Sequence, residues 1–402
     1  IMTIKYLTFL LWFVIPIHSC TNLSKMSDNQ RKNGHYRLYT YPEKMHSVPL
    51  DKERYTKYAL IATNDLRGEI YPQKIDIPNR LQEKRSLNIG GVNGIKTYRD
   101  ILKGYYENNL GFIDSGSFFH EKNYHQETIF LRNYLNYDAG GLGVLDFNII
   151  PQDAKNFQDY FKRLMAKGQL KVSSTNLYDL KKAEQIDWPN IKNSTVFNIG
   201  ELKIGALSII TPQSSKSIPD RQITGLYFQN AAKKIISESR ILRRNGAQVI
   251  VLLINGELDC TSQLSQQEEI SEDKVNFLPF ESYYCDIQSN HFGNILKQIP
   301  PDTIDVIFSN GALSKVANYI EGYPVLQNNG KGQFLSWIEI VFDKKYNLVD
   351  KKKTKIFQPI QLCHQFLKDS QDCYTKEDIS NKEVIPAKFL GQTIKVDELP
   401  TN

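Results

Sequence analysis

The chain's chemically capable residues are few. Seven histidines, His18, His35, His46, His120, His125, His291 and His364, are scattered, and no two are spaced like ligands of one metal. Each reads as a surface histidine. His120 and His125 are the nearest approach to a pair, and a replacement metal site built on them is a minor reading. Four acids, Asp65, Asp114, Asp146 and Glu257, close apolar runs and could place carboxylates at strand ends. Without histidines such a set makes a poor dinuclear centre, because borderline cations take imidazole as well as oxygen donors. The five cysteines include no Cys-x-x-Cys, which argues against zinc. Cys260, Cys285, Cys363 and Cys373 are an even set outside the leader, and outside the cytosol such a set favours disulfides. Three pairings are open; the local ones, Cys260 with Cys285 and Cys363 with Cys373, are the simplest.

Cys20 has a different context. Lys5 precedes an apolar run from Tyr6 to Ile17, too short to span a bilayer comfortably, and Ile17-His18-Ser19 leads directly into Cys20. This resembles a bacterial lipobox, with His18 an unusual occupant. It implies a signal peptide over 1–19, lipidation of Cys20 and an outward-facing, membrane-tethered protein on the bacterial cell envelope. Residues 20–55 are polar and aperiodic and read as a tether.

The elements that must position the strand-end acids alternate between buried-strand and helix periodicity. Strand patterns fall at 58–62, 110–114, 170–173, 247–254, 304–308, 323–326 and 334–342, and a hairpin at 196–210. Helical spacing covers 90–102, 128–135, 151–167 and 226–244. The class is α/β. The chain has 402 residues with 50 basic and 44 acidic side chains, and a net charge of +6 over this length gives no nucleic-acid footprint. The basic runs Lys344-Lys345 and Lys351-Lys352-Lys353 read as solvated turns, with a lipid-headgroup contact as the lesser reading.

Five of the strand-end loops, in order from about 58 to 343, resemble those of the calcineurin-like metallophosphoesterases, in the branch with the secreted 5′-nucleotidases. Thr63-Asn64-Asp65-Leu66-Arg67-Gly68 is similar to T-N-D-x-H-G, and Ile113-Asp114-Ser115-Gly116-Ser117-Phe118-Phe119 to the D-x-G-D-x-F segment. Asp138-Ala139 through Asp146-Phe147 is similar to the Y-D-A…G-N-H-E-F segment. Val251 to Gly256 resembles the strand ending in H-x-G, and Asp305 to Leu313 the strand ending in G-H-T-H. The resemblance implies a two-sheet β-sandwich flanked by helices over 56–345, followed by a short C-terminal extension or strap over 346–402. The family's separate nucleobase-binding domain does not fit in that remainder.

The resemblance also implies two metal ions, but most ligand positions are substituted. Asp65 keeps its aspartate. The other positions hold Arg67, Ser117, Val144, Leu145, Ile254, Gly311 and Leu313. Glycines Gly68, Gly116, Gly143 and Gly256 persist, so the substitutions fall on the chemistry rather than on the frame. Losing two divalent cations removes about four positive charges from a cluster of acids. Arg67 restores one charge, and it is expected to pair with Asp65. The expectation is a pseudoenzyme without metal or cofactor, binding another envelope protein through a rigid surface. The cysteine-bounded insertion 260–285 is the first candidate for that surface. An anion- or nucleotide-binding sensor using the old pocket, and a divergent metal-dependent phosphoesterase, are the alternatives.

Overall fold

The computed structural model describes residues 50–397 apart from 78–84, 120–124, 150–155, 257, 259, 263–282, 286–290, 312–314, 369–372 and 374–382. The leader, Cys20, most of the tether, His120, Glu257, Leu313 and most of the 260–285 insertion thus lie outside the described residues.

From its start the chain forms β1 (Tyr55–Thr63), α1 (Gly91–Tyr106), β2 (Leu110–Asp114), α2 (His125–Leu135), β3 (Ala139–Gly141) and α3 (Phe157–Ala166). Short strands β4 (Val172–Ser173) and β5 (Ile191–Lys192) follow, then the hairpin β6 (Ser194–Ile199) and β7 (Leu202–Ile210). Next come α4 (Ala231–Arg244), β8 (Val249–Asn255), β9 (Val306–Asn310), β10 (Val316–Ile320) and β11 (Tyr323–Gln327). The long strand β12 (Phe334–Asp343) leads into β13 (Leu348–Val349) and β14 (Lys355–Gln361).

Two sheets stack face to face. The first has the order β13-β12-β1-β2-β3-β4-β5, with β14 also on β12, and the second β6-β7-β8-β9-β11-β10. The central strands are parallel within each sheet: β1 with β2, β2 with β3, β7 with β8, β8 with β9. Their carboxyl ends therefore meet at one end of the sandwich.

Period-two alternation assigns each side chain to a layer. Val249, Val251 and Leu253 of β8 point between the sheets, with Leu60, Ile113, Val306, Phe308 and Ile338. Ile250, Leu252 and Ile254 point outward, under Ile235 and Leu242 of α4 and Phe292 and Leu296 of a short helix, His291–Lys297. The outer face of the first sheet is covered by α1, α2 and α3, whose Tyr98, Leu102, Leu135 and Phe161 join Ile61, Phe112 and Trp337. This is the two-sheet, helix-flanked α/β fold that the strand-end loops imply.

Residues after 346 do more than strap. β14 pairs along β12, from Phe334 with Gln361 to Glu339 with Lys355, so part of that extension is a strand of the first sheet. Cys363 and Cys373 form a disulfide that pins the following loop. Cys260 and Cys285 are register partners of a two-stranded ribbon. Among the described residues no helix is long and apolar enough to cross a membrane.

Candidate functional site: the strand-end loops

The loop after β1 crosses the loop after β2 through backbone bonds. Asp65, Arg67 and Gly68 donate from their amides to the carbonyls of Gly116, Ser117 and Phe118 at 3.0, 3.1 and 2.8 Å. The crossing forces left-handed backbone on Asp65 (φ 46°), Arg67 (φ 53°) and Ser117 (φ 59°). L side chains adopt that region at a cost of about 1 kcal/mol or more, so these three loop positions hold stored strain. Gly143 packs against this crossing so closely that a Cβ on it would lie 2.1 Å from the Ser117 amide nitrogen.

The acids at these loop tips are buried and mostly occupied. Asp146, on a 3-10 turn (Val144–Asn148), accepts four backbone N–H bonds, from Gly143 (2.8 Å), Ser117 (3.1 Å), Phe118 (2.7 Å) and Phe119 (3.2 Å). Burial nonetheless raises its pKa above the ordinary value. Asp114 accepts from the Thr63 hydroxyl at 2.6 Å and the Gly116 amide at 3.0 Å. Desolvation pushes Asp114 up to about 7, opposed by the Arg132 guanidinium 3.8 Å away.

Asp65 is held differently. Asn64 donates to its Oδ2 at 3.1 Å, and an Arg67 Nη lies 3.6 Å from its Oδ1. Burial lifts Asp65 to about 6, with Asn64 and then Arg67 pulling it down. The expected pairing of Arg67 with Asp65 is present in the folded chain. The Arg67 Nε is buried without a hydrogen-bond partner.

Three buried carboxylates thus face two guanidiniums, those of Arg67 and Arg132. Arg132 comes from α2, is 4 % exposed, and stacks over Phe118 at 4.5 Å. Its Nε and one Nη make no hydrogen bond, so it acts here as a buried charge more than as a donor.

The remaining strand tips supply amides. Asn310, at the end of β9, donates to the Ser117 hydroxyl at 3.1 Å and pairs in register with Asn255 at the end of β8. Both continue the inward-facing row of their strands. Ile254, the position expected at the site, points under the helices instead, because alternation puts it one residue out of phase. Asn64 and Asn328 exchange side-chain and backbone hydrogen bonds at 2.9 and 3.2 Å. Val144 is buried in the core and Leu145 is half-buried, its amide 3.4 Å from the Ser117 hydroxyl. Gly311 is buried just beyond Asn310.

His125 and His364, read from the sequence as surface residues, are buried. The His125 ring shares a 2.8 Å hydrogen bond with the Tyr160 hydroxyl and meets Phe119 edge-on. The His364 Nε2 lies 2.8 Å from the Gly90 carbonyl, and burial lowers its pKa.

Arg132, Asn255, Asn310 and Asn328 are site residues that the sequence reading missed. Strand alternation would have found Asn255 and Asn310. A lone arginine between Leu131 and Leu135 on an apolar helix stripe was the signal for Arg132.

The donor set does not fit two cations. Where a dinuclear centre needs imidazole and free carboxylate lone pairs, this site presents no histidine among the described residues, a guanidinium beside Asp65, and carboxylates of Asp114 and Asp146 that already accept backbone N–H bonds. Among the described residues no three His, Cys, Asp or Glu side chains converge as a metal-binding group.

Comparison with known proteins places the fold. No family model and no curated protein matches the sequence. Among solved structures the chain is similar to a putative 5′-nucleotidase from Staphylococcus aureus, at 15 % identity and a TM-score of 0.53, covering 80 % of this chain and 57 % of that one. It is similar to the NAD nucleotidase of Haemophilus influenzae at 16 % identity and a TM-score of 0.53, covering 79 % and 53 %. The calcineurin-like phosphoesterase YfkN of Bacillus subtilis aligns at 14 % identity and a TM-score of 0.53, covering 77 % and 91 %. The class is therefore the metallophosphoesterase fold, as found in 5′-nucleotidases. The chain spans a little over half the length of the two nucleotidases.

Proposed function

We propose that this chain is a metallophosphoesterase-fold protein that has given up catalysis and serves, lipid-anchored through Cys20 on the bacterial cell envelope, as a rigid binding module for another envelope protein. The observation that carries the reading is the Arg67–Asp65 pair. A guanidinium stands beside the carboxylate of Asp65, which the resemblance makes a ligand position, on loops with left-handed backbone at Asp65, Arg67 and Ser117. The strand-end acids are met by backbone amides, by Asn64 and by the guanidiniums of Arg67 and Arg132, which supports a site that stands without metal.

The test combines metal analysis of the purified full chain with phosphatase and 5′-nucleotidase assays in Mn²⁺, Zn²⁺ and Ca²⁺. The reading expects no stoichiometric metal and no turnover. Hydrolysis abolished by Asp65→Ala would instead establish a divergent phosphoesterase. Detergent extraction and affinity purification through the native anchor then identify the partner.

A second reading has its own support. The buried, unpartnered Nε of Arg67 could receive an anion at the old pocket. Specific thermal stabilisation by phosphate or a nucleotide, lost in Arg67→Ala, would favour that sensor over a scaffold.

A further inference from the structure

The opposite end of the sandwich gathers basic residues that the sequence scatters over three hundred positions. β1 starts there, with Tyr55 in register with Asp343. The turn after β12 folds back on the segment before β1: the Lys344 amide donates to the Arg54 carbonyl at 2.8 Å and its Nζ to the Lys52 carbonyl at 2.7 Å. The Arg54 guanidinium sits 4.9 Å from the Tyr55 ring and 5.3 Å from the Tyr346 ring. Lys353 lies 4.7 Å from the Tyr55 ring. Gln248 bonds Asn347 at 2.8 Å, and Lys351 reaches Asp302 at 2.7 Å. These contacts join the turns to the end of α4.

A groove of about 630 Å³ opens at that junction, lined by Ser239, Arg240, Arg244, Asp302 and Thr303 among others. Ser239 is 2 % exposed, and its Oγ has no hydrogen-bond partner among the described residues.

The charges do not cancel. Asp343, Asp350, Asp302 and Asp305 are taken up by Arg54, Lys353, Lys351 and Arg243. Lys52, Lys344, Lys345, Lys352, Arg240 and Arg244 carry no carboxylate partner among the described residues. Against them stand Asp51 and Glu53, with Glu107, Glu201 and Glu321 at the border, before the starts of neighbouring strands. Tyr346 is 58 % and Leu348 48 % exposed, both types that settle at a bilayer surface.

We propose that this basic end seats the protein against the anionic phospholipid headgroups of a bilayer, with the Arg240–Arg244 groove receiving a headgroup phosphate. The occupant follows from charge and from chain entry. The described chain starts at residue 50, at this end, and the sequence before it includes the 6–17 apolar run and Cys20. A β-strand of nine residues spans about 30 Å, so the strand-end loops at the far end of β1 would face away from the membrane, open to a partner. The proposal builds on the anchored reading above but can fail separately from it.

The experiment uses the full chain and vesicles of phosphatidylcholine, with or without phosphatidylglycerol. Binding to neutral vesicles reports the anchor. Extra, salt-sensitive binding to anionic vesicles reports the basic end. The triple variant Lys344→Glu, Lys345→Glu, Lys352→Glu, in exposed turns and checked for folding by circular dichroism, should cut the extra component by at least about tenfold and leave neutral binding intact. With brominated lipids, a Trp in Tyr346→Trp should be quenched on anionic vesicles, and one in Tyr71→Trp, beyond the far end of β1, should not. Inorganic phosphate should compete no better than chloride at equal ionic strength. Equal binding to both vesicle types, indifference to the charge reversal, quenching of the Trp in Tyr71→Trp, or specific competition by phosphate would overturn the proposal.

Discussion

Asp65 and Asp114 both give the strand-end loops a pH dependence, since burial raises each of them. Unfolded, Asp65 ionises near 3.8; folded, burial lifts it to about 6. The folded state therefore binds more protons between these values, and this group's contribution to stability falls as pH rises from 4 to 6. A shift of this size is worth about 3 kcal/mol at most. Asp65→Asn should thus raise the urea unfolding free energy by about 1–3 kcal/mol at pH 8 and change it little at pH 4. Arg67→Ala should move the other way at pH 8, because it leaves the ionised carboxylate without its nearby cation. Asp146 is the opposite kind of acid. Its removal in Asp146→Ala orphans four buried amides, and each uncompensated donor costs about 1–3 kcal/mol. The summed loss should exceed about 3 kcal/mol in denaturant titration, with Asp146→Asn milder because its carbonyl still accepts.

At the scale of elements, the loops are fixed by close approaches that glycines permit. Gly90 opens α1 with φ 70°, and a Cβ there would lie 2.3 Å from the Gly332 carbonyl oxygen. The atoms that Cβ would meet are backbone and φ is positive, so Gly90→Ala should cost at least about 2 kcal/mol by urea unfolding. The segment after β14 is held twice. It is tied by the Cys363–Cys373 disulfide and by the isolated bridge of Cys363 to Ile89. Opening the short disulfide loop in Cys363→Ser/Cys373→Ser should lower stability by about 2–3 kcal/mol. The melting temperature of the parent chain should fall similarly in strong reductant.

Over the whole molecule the two ends of the sandwich have diverged. One end gathers three buried carboxylates, Asp65, Asp114 and Asp146, with the guanidiniums of Arg67 and Arg132. The other presents lysines, arginines and exposed Tyr346 and Leu348. A fold of this class does not carry its activity along, because activity depends on the groups at the loop tips. Full-chain preparations should accordingly show no metal-dependent hydrolysis of nucleoside monophosphates above a heat-denatured control. Turnover sensitive to Asp65→Ala would refute that.

The sequence by itself indicated the local matters: which apolar runs are strands, which loops carry turn glycines, that Arg67 stands two residues from Asp65, and that Cys363 with Cys373 is one of the simplest cysteine pairings. Such features are encoded within a dozen residues, where alternation and turn chemistry suffice. The tertiary structure decided which separated groups meet. It brought Arg132 from α2 beneath Asp114, placed Asn255 and Asn310 rather than Ile254 and Gly311 toward the site, made β14 part of a sheet, and buried His125 and His364. It also joined residues 52–54, 240–244 and 344–353 into one basic surface. Those meetings depend on strand register and on which helix covers which sheet, and both are set by burial summed over the whole chain rather than by any local stretch of it.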